Sequence, residues 1–134
     1  MRKIKEWLRM VLITGLLFRL TACTGVDNGG KSTFEQISAK EAKKIMETEE
    51  KYIIVDARTE SEFAEGHIEG AILIPEYEIA VRAKEELPDK DALILVYCRS
   101  GRRSKIASEE LVKLGYTNVK EFGGIIDWPY EIVK

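Results

Sequence analysis

The chain has 134 residues, about one domain's worth, and is 45% hydrophobic and 33% charged, the balance of a folded globular protein rather than a disordered one. Its formal net charge of −2 offers no general field for nucleic acid. The first segment stands apart from the rest. "MRKIKEWLR" is basic, with Arg2, Lys3, Lys5 and Arg9 against Glu6, and "MVLITGLLF" is an apolar run of nine. A bilayer span needs about 20 apolar residues, so this run predicts the apolar region of a secretory signal.

"LTAC", Leu20 to Cys23, follows directly. It resembles the lipobox of bacterial lipoproteins. The resemblance implies cleavage before Cys23, lipidation of its thiol, and an exported protein anchored to the extracytoplasmic face of a bacterial membrane. Arg19 departs from the pattern by placing a charge at the end of the apolar run. The alternative is an uncleaved N-terminal anchor with Cys23 unmodified. The expected organisation is a signal peptide over residues 1–22, a flexible polar tether over 23–32 ("TGVDNGGKST" in the main), and a folded domain over 33–134. The segment 1–22 takes five of the 21 basic groups and one of the 23 acidic ones, which leaves the remainder at −6. A basic loop on such a domain is a local field.

Within 33–134, Ser38 and Glu41 form a capping-box pattern ahead of the helix "AKEAKKIMET". "YIIVDA" is a short β-branched apolar run, a buried strand. Thr59 with Glu62 predicts a second capped turn, "ESEFAEG", stopped by Gly66. "GAILIP" reads as a strand ended by Pro75. "EYEIAVRAKEEL" places Ile79, Ala83 and Leu87 on one helical face, before Pro88. "ALILVYC" is the most apolar strand. "RRSKIASEELVKLG" carries Ile106, Ala107, Leu111 and Leu114 at helical spacing, with Gly115 as the stop. "TNVKEF" is a further strand, and "GGIIDWPYEIVK" predicts a terminal helix interrupted near Pro129. Strands alternating with helices predict an α/β domain, a central parallel sheet with helices on both faces.

Cys98 then becomes the question, because with Cys23 lipidated it has no partner and exported proteins usually pair their thiols. One reading is an inert thiol at the end of a core strand. The neighbours favour another. Open α/β sheets bind ligands at the carboxyl ends of their strands, and "RSGRR" turns the chain from such an end into a helix. That turn presents several backbone N–H groups to one point, and Gly101 permits it. A helix N-terminus and adjacent cations favour the thiolate, the nucleophilic form. Arg99, Ser100, Gly101, Arg102, Arg103 and Ser104 are therefore read as an anion cradle with Cys98 at its floor. Arg103, opening the helix, is expected to point along the cradle.

"VDARTESEFAEGHIEGAILIP" (55–75), "YCRSGRRS" (97–104) and "FGGIIDWP" (122–129) together resemble the signatures of the rhodanese homology domain, over nearly all of 33–134. Leu73 stands where that family often has a polar residue. The resemblance implies a three-layer rhodanese-like fold and a sulfurtransferase. Cys98 would take the sulfane sulfur of a small anionic donor such as thiosulfate, hold it as a persulfide, and pass it to a thiol or cyanide acceptor. No metal or organic cofactor is implied. Phosphatases and arsenate reductases of this fold have a C-x5-R loop, one residue longer, that encloses a tetrahedral oxyanion. Here Cys98 to Arg103 is C-x4-R, which suits one sulfur atom. A non-catalytic persulfide-sensing or binding module is the third reading; inert members of the family typically lose the Cys.

The other eye-catching residues have plainer readings. His67 is the only histidine, so it makes an improbable metal site, and in "GHI" the family uses it structurally. Asp56 and Arg58, at a strand end, are read as an ion pair that fixes the loop, with a substrate contact by Arg58 as the alternative. Trp128 is read as packing for the last helix, Trp7 belongs to the signal, and "KEEL" and "SEEL" are solvated helix faces. No protein partner is legible.

Overall fold

The computed structural model describes residues 33–134. The expectations for cleavage, for Cys23 and for the tether lie outside the described residues. Five strands form one sheet: β1 (Glu35–Gln36), β2 (Ile53–Asp56), β3 (Ile72–Leu73), β4 (Ile94–Cys98) and β5 (Val119–Gly124). Their order is β1-β5-β4-β2-β3, and every pairing is parallel. Four α-helices alternate with them: α1 (Ala39–Thr48), α2 (Glu60–Glu65), α3 (Ile79–Glu86) and α4 (Arg102–Lys113). The expected α/β architecture is the one observed.

The helix starts follow from their caps. Ser38 Oγ accepts from Glu41 N at 3.1 Å, and the Glu41 carboxylate accepts from Ser38 N at 2.7 Å, so two orphan donors are met reciprocally. Thr59 and Glu62 repeat the arrangement at the head of α2. Pro88 cannot continue α3, which ends at Glu86.

Alternation along the strands splits the core in two. Val55, Ile94, Val96 and Cys98 face α3 and α4, with Ile79, Ala83, Ala107 and Leu111. Ile54, Leu95, Tyr97 and Phe122 face the other way, with Ala42 of α1 and Trp128. β4, fully buried, is the centre of the sheet. The chain leaves β2 toward β3 on one side and leaves β4 toward β5 on the other. The carboxyl ends of β2 and β4 therefore lie where the winding reverses, the usual place for a ligand site in such a sheet.

Two expectations about the elements need correction, and one strand was not foreseen. The terminal helix does not form: residues Ile125–Asp127 make one 3₁₀ turn and nothing helical follows. Pro129 biases Trp128 to extended backbone, φ −81° and ψ 109°. The Trp128 ring packs against Phe122 and Tyr130, and Val133 forms an antiparallel bridge with His67. The tail is thus held by a core anchor and a bridge. Ile106, read as part of the apolar face of α4, is exposed; Ala107 and Leu111 carry the packing. β1, a two-residue edge strand, has no counterpart in the sequence reading.

Candidate active site

Cys98 ends β4, and its side chain lies on the α4 side of the sheet, 1% exposed. The next residues wrap around the sulfur. Gly101 N donates to Cys98 Sγ at 3.0 Å. Gly101 holds φ +106°, a conformation that costs any residue with a Cβ, and it is the N-cap of α4. The first N–H groups of a helix have no intrahelical acceptor, so the head of α4 adds donors and a positive dipole end to the cup.

The loop is seated by Gly124. A Cβ there would stand 2.0 Å from the Arg99 carbonyl oxygen, so only glycine lets β5 pass beneath the loop. Ile126 N donates to that same carbonyl at 3.2 Å. A register shift between β4 and β5 makes this fit: Val96 pairs with Glu121 but Cys98 with Gly124. The extra residue of β5 is a bulge, with Gly123 at φ +90°.

Arg99 and Arg102 are exposed, as is Ser100. Arg103 does not reach along the cradle. Its two terminal nitrogens donate to Glu62 of α2 at 2.7 and 2.9 Å, a bidentate pair. This hydrogen bonding holds the Glu62 carboxyl down at about 2 and raises Arg103. Its hydrogen bonds go to the neighbouring helix. Among the described residues, the positive charge at the rim that has no acidic partner belongs to Arg99 and Arg102.

Ser104 is buried beneath the loop and touches four groups. Cys98 Sγ lies 3.3 Å from its Oγ, Glu121 Oε1 2.6 Å, Gly101 O 3.0 Å and Gly123 O 3.4 Å. Glu121, 3% exposed, also accepts from Gly123 N at 2.8 Å. Sequence reading missed Glu121, because a lone acid within "TNVKEF" has the look of an outward strand position.

Asp56 and Arg58 form a buried ion pair at 2.8 Å. Arg58 Nη2 also donates to Gly66 O at 2.6 Å, and Tyr97 O–H donates to Asp56 at 2.6 Å while accepting from Ile68 N. Burial works against the Arg58 charge, and the hydrogen bonds and charge of Asp56 more than offset it. Burial pushes the Tyr97 phenol up, and Asp56 adds to the shift. The pair lies on the face opposite Cys98. Among the described residues none of its hydrogen bonds reaches 99–104, so it fixes the segment 66–68 instead of the loop. His67 stacks on Phe63, with Nδ1 3.0 Å from the Phe63 carbonyl. A groove of about 480 Å³ on the α1 side is lined by Met46, Tyr52, Ile68, Trp128 and Tyr130 among others, and Cys98 is not part of it.

A thiol at the carboxyl end of a central strand, accepting the Gly101 N–H at a helix head and near two exposed arginines, can attack an electrophile and hold a small anion. Comparison with known proteins places the chain among sulfurtransferases at the level of family. The chain is 40% identical over 80 residues to the thiosulfate sulfurtransferase PspE of Escherichia coli, covering 60% of this chain and 77% of that protein. It is 39% identical over 88 residues to a sulfurtransferase of Allochromatium vinosum, covering 65% and 79%. A solved E. coli rhodanese with anions superposes with a TM-score of 0.59 at 37% identity, over 62% of this chain and 98% of that one. A Pseudomonas aeruginosa thiosulfate sulfurtransferase superposes at 0.68 and 27% identity, over 75% of this chain and 20% of that one. The sequence model of the rhodanese-like domain matches residues 38–129. With its parallel sheet, its cysteine-floored loop and its sulfurtransferase relatives, this chain belongs to the rhodanese-like domain family.

Proposed function

We propose that the protein is a sulfurtransferase that carries sulfur as a persulfide on Cys98. The observation that carries the reading is the Gly101 N–H set 3.0 Å from Cys98 Sγ inside a C-x4-R loop. The Cys98 thiolate attacks the sulfane sulfur of thiosulfate. A new S–S bond forms, the bond to the sulfonate sulfur breaks, and sulfite leaves with the electron pair. The persulfide's terminal sulfur is an anion, and the Gly101 N–H, with the N–H groups that a helix start leaves free, would hold it. Arg99 and Arg102 draw in the anionic donor. A thiol or cyanide acceptor then attacks the terminal sulfur and returns the Cys98 thiolate. No cofactor enters this cycle.

Exposure to thiosulfate, followed by mass spectrometry of the protein, tests the reading. One added sulfur on Cys98, absent from Cys98→Ser, is the expected result. Turnover of an aryl phosphate that depends on Cys98, with no sulfur transfer, would overturn it in favour of a phosphatase. Persulfide formation with no release to any acceptor would favour a sensing module. The basic start, short apolar run and "LTAC" support a second element, lipid anchoring through Cys23 on the extracytoplasmic face of a bacterial membrane. Cys23→Ser should shift gel mobility and release the protein from membranes; unchanged mobility and attachment would refute it.

A further inference from the structure

The carboxylate behind the loop is unexplained by sulfur transfer as described above. Glu121 lies on the face of β5 that packs under α4, with Val119 and opposite Val96, where the strand pattern calls for an apolar side chain. It is 3% exposed, and among the described residues its hydrogen-bond partners are Ser104 Oγ and Gly123 N, neither of them charged. A buried carboxylate without an ion pair is costly and marks a site where charge or a proton is handled. Ser104 connects it to the nucleophile. The hydroxyl has one proton, and its nearest acceptor is Glu121 Oε1 at 2.6 Å; that leaves its lone pairs free to accept from the Cys98 S–H at 3.3 Å. Each end of this chain accepts one backbone N–H, from Gly101 at the sulfur and from Gly123 at the carboxylate. Each end is therefore fitted to bear negative charge.

We infer that Glu121 is a positioning residue that takes the Cys98 thiol proton through the Ser104 hydroxyl when the sulfur attacks. The inference deepens the sulfurtransferase reading and rests on it for the identity of the electrophile. In the step, S–H gives its proton to Ser104 Oγ while the Ser104 proton passes to Glu121 Oε1. Sγ then bonds to the sulfane sulfur, and sulfite departs with the bonding pair. One proton moves and the total charge of thiol, carboxylate and thiosulfate is unchanged. When the acceptor removes the terminal sulfur, the proton returns to Cys98 along the same path. The relay lets a covered thiol ionise without exchanging its proton with solvent.

Other charges around the pair are placed as follows. Arg103 of α4 is paired with Glu62 of α2. Arg99 and Arg102 are exposed at the rim, and Lys105 is exposed further along α4. Asp56, Arg58 and Tyr97 form their own network on the opposite face. Lys120 of β5 pairs with Glu35 of β1.

The test is the pH dependence of two reactions of Cys98, alkylation by iodoacetamide and single-turnover sulfur uptake from thiosulfate. With an internal acceptor, the rate in mildly acidic to neutral solution should vary little with pH. Glu121→Gln keeps an acceptor for Gly123 N and for Ser104 but cannot take a proton. Its rates should fall about tenfold per pH unit as hydroxide becomes scarce and meet the wild-type rate in alkali, with the loss reaching tenfold or more on the acid side. Ser104→Ala should show the same slope, and the double variant should be no slower than the worse single one. Thiosulfate KM should be unchanged. Profiles parallel to wild type in the variants, whether at the same rate or uniformly lower, would overturn the relay. Should Glu121→Gln fail to fold by circular dichroism, the slope for Ser104→Ala decides alone. Alkylation does not depend on sulfur chemistry: a protein that shows the slope change but forms no persulfide refutes the transferase reading and keeps the relay.

Discussion

Gly124→Ala isolates a single contact. Gly124 has φ −123° and ψ 152°, ordinary extended backbone that alanine adopts freely. The whole cost must therefore come from the added methyl. Its Cβ would lie 2.0 Å from Arg99 O, 2.4 Å from Arg99 C and 2.5 Å from Ser100 Cα. All are backbone atoms, so no rotamer change relieves the clash. Non-bonded carbons rest at about 3.5–4.0 Å, so the loop must retreat by about 1 Å or more. Overpacking typically costs about 1–3 kcal/mol, and a rigid backbone neighbour places this case at the upper end. For a domain of this size that is a fall in Tm of roughly 10–20 °C. The site should suffer more than the fold, since Gly101 N moves with the loop; a displacement of about 1 Å can cost about 100-fold in rate. Differential scanning calorimetry and iodoacetamide labelling of Cys98 measure the two effects. Gly115→Ala supplies the contrast. It has φ +96° and nothing near its Cβ, so it should lower Tm through backbone strain alone and leave Cys98 untouched. A Gly124→Ala protein with wild-type Tm and labelling rate would refute the seating argument.

Asp56→Asn strands the buried Arg58 charge and should destabilise by about 3–5 kcal/mol, read as a lower urea midpoint; a loss under about 1 kcal/mol would mean that the pair is not the brace described. The Glu62 carboxyl is held at about 2, below its ordinary 4.5, by Arg103. Its contribution should be complete above about pH 4.5 and vanish as pH falls toward about 2, so the stability gap between wild type and Glu62→Gln should close over that window and remain about 1 kcal/mol or less above it. A gap that widens in acid would reverse the sign. Ser108 Oγ is buried with no hydrogen-bond partner among the described residues. Ser108→Ala removes that orphan and improves helix propensity, so Tm should hold or rise by a few degrees; a clear fall would reveal a partner for the hydroxyl.

Local chemistry made most of the elements legible. The Ser38–Glu41 and Thr59–Glu62 boxes act between residues three apart, and both formed as read. The apolar runs of β2 and β4 leave no doubt about burial. The cup around Cys98 was also readable, because a strand end, a glycine and a helix start are consecutive in sequence. Pairings across the fold were not. Glu62 read as a cap, yet it also holds Arg103, 41 residues away. Arg58 read as support for the loop, yet alternation puts its partner Asp56 on the other face of the sheet. Glu121 stayed hidden because its orientation depends on the β5 register, and the bulge that lets Gly124 pass under Arg99 leaves only two adjacent glycines as a trace. The terminal "IIDWPYEIV" has helical apolar spacing. Proline and the burial of Trp128 overruled it.

The strand order also dictates a schedule. β2, β3 and β4 are consecutive in the chain and adjacent in the sheet, so they can assemble once residue 98 has been synthesised. β1 borders β5 alone, across a separation of 85 residues, a late and entropically expensive closure. A chain delivered from its N-terminus therefore completes its sheet from the middle outward, and the first strand made is the last to join. The same late arrival of β5 brings Gly124 and Glu121 beneath the loop. Until then Cys98 has neither its cover nor its relay, and the growing chain passes through a period in which this thiol is more open to oxidants than in the finished domain.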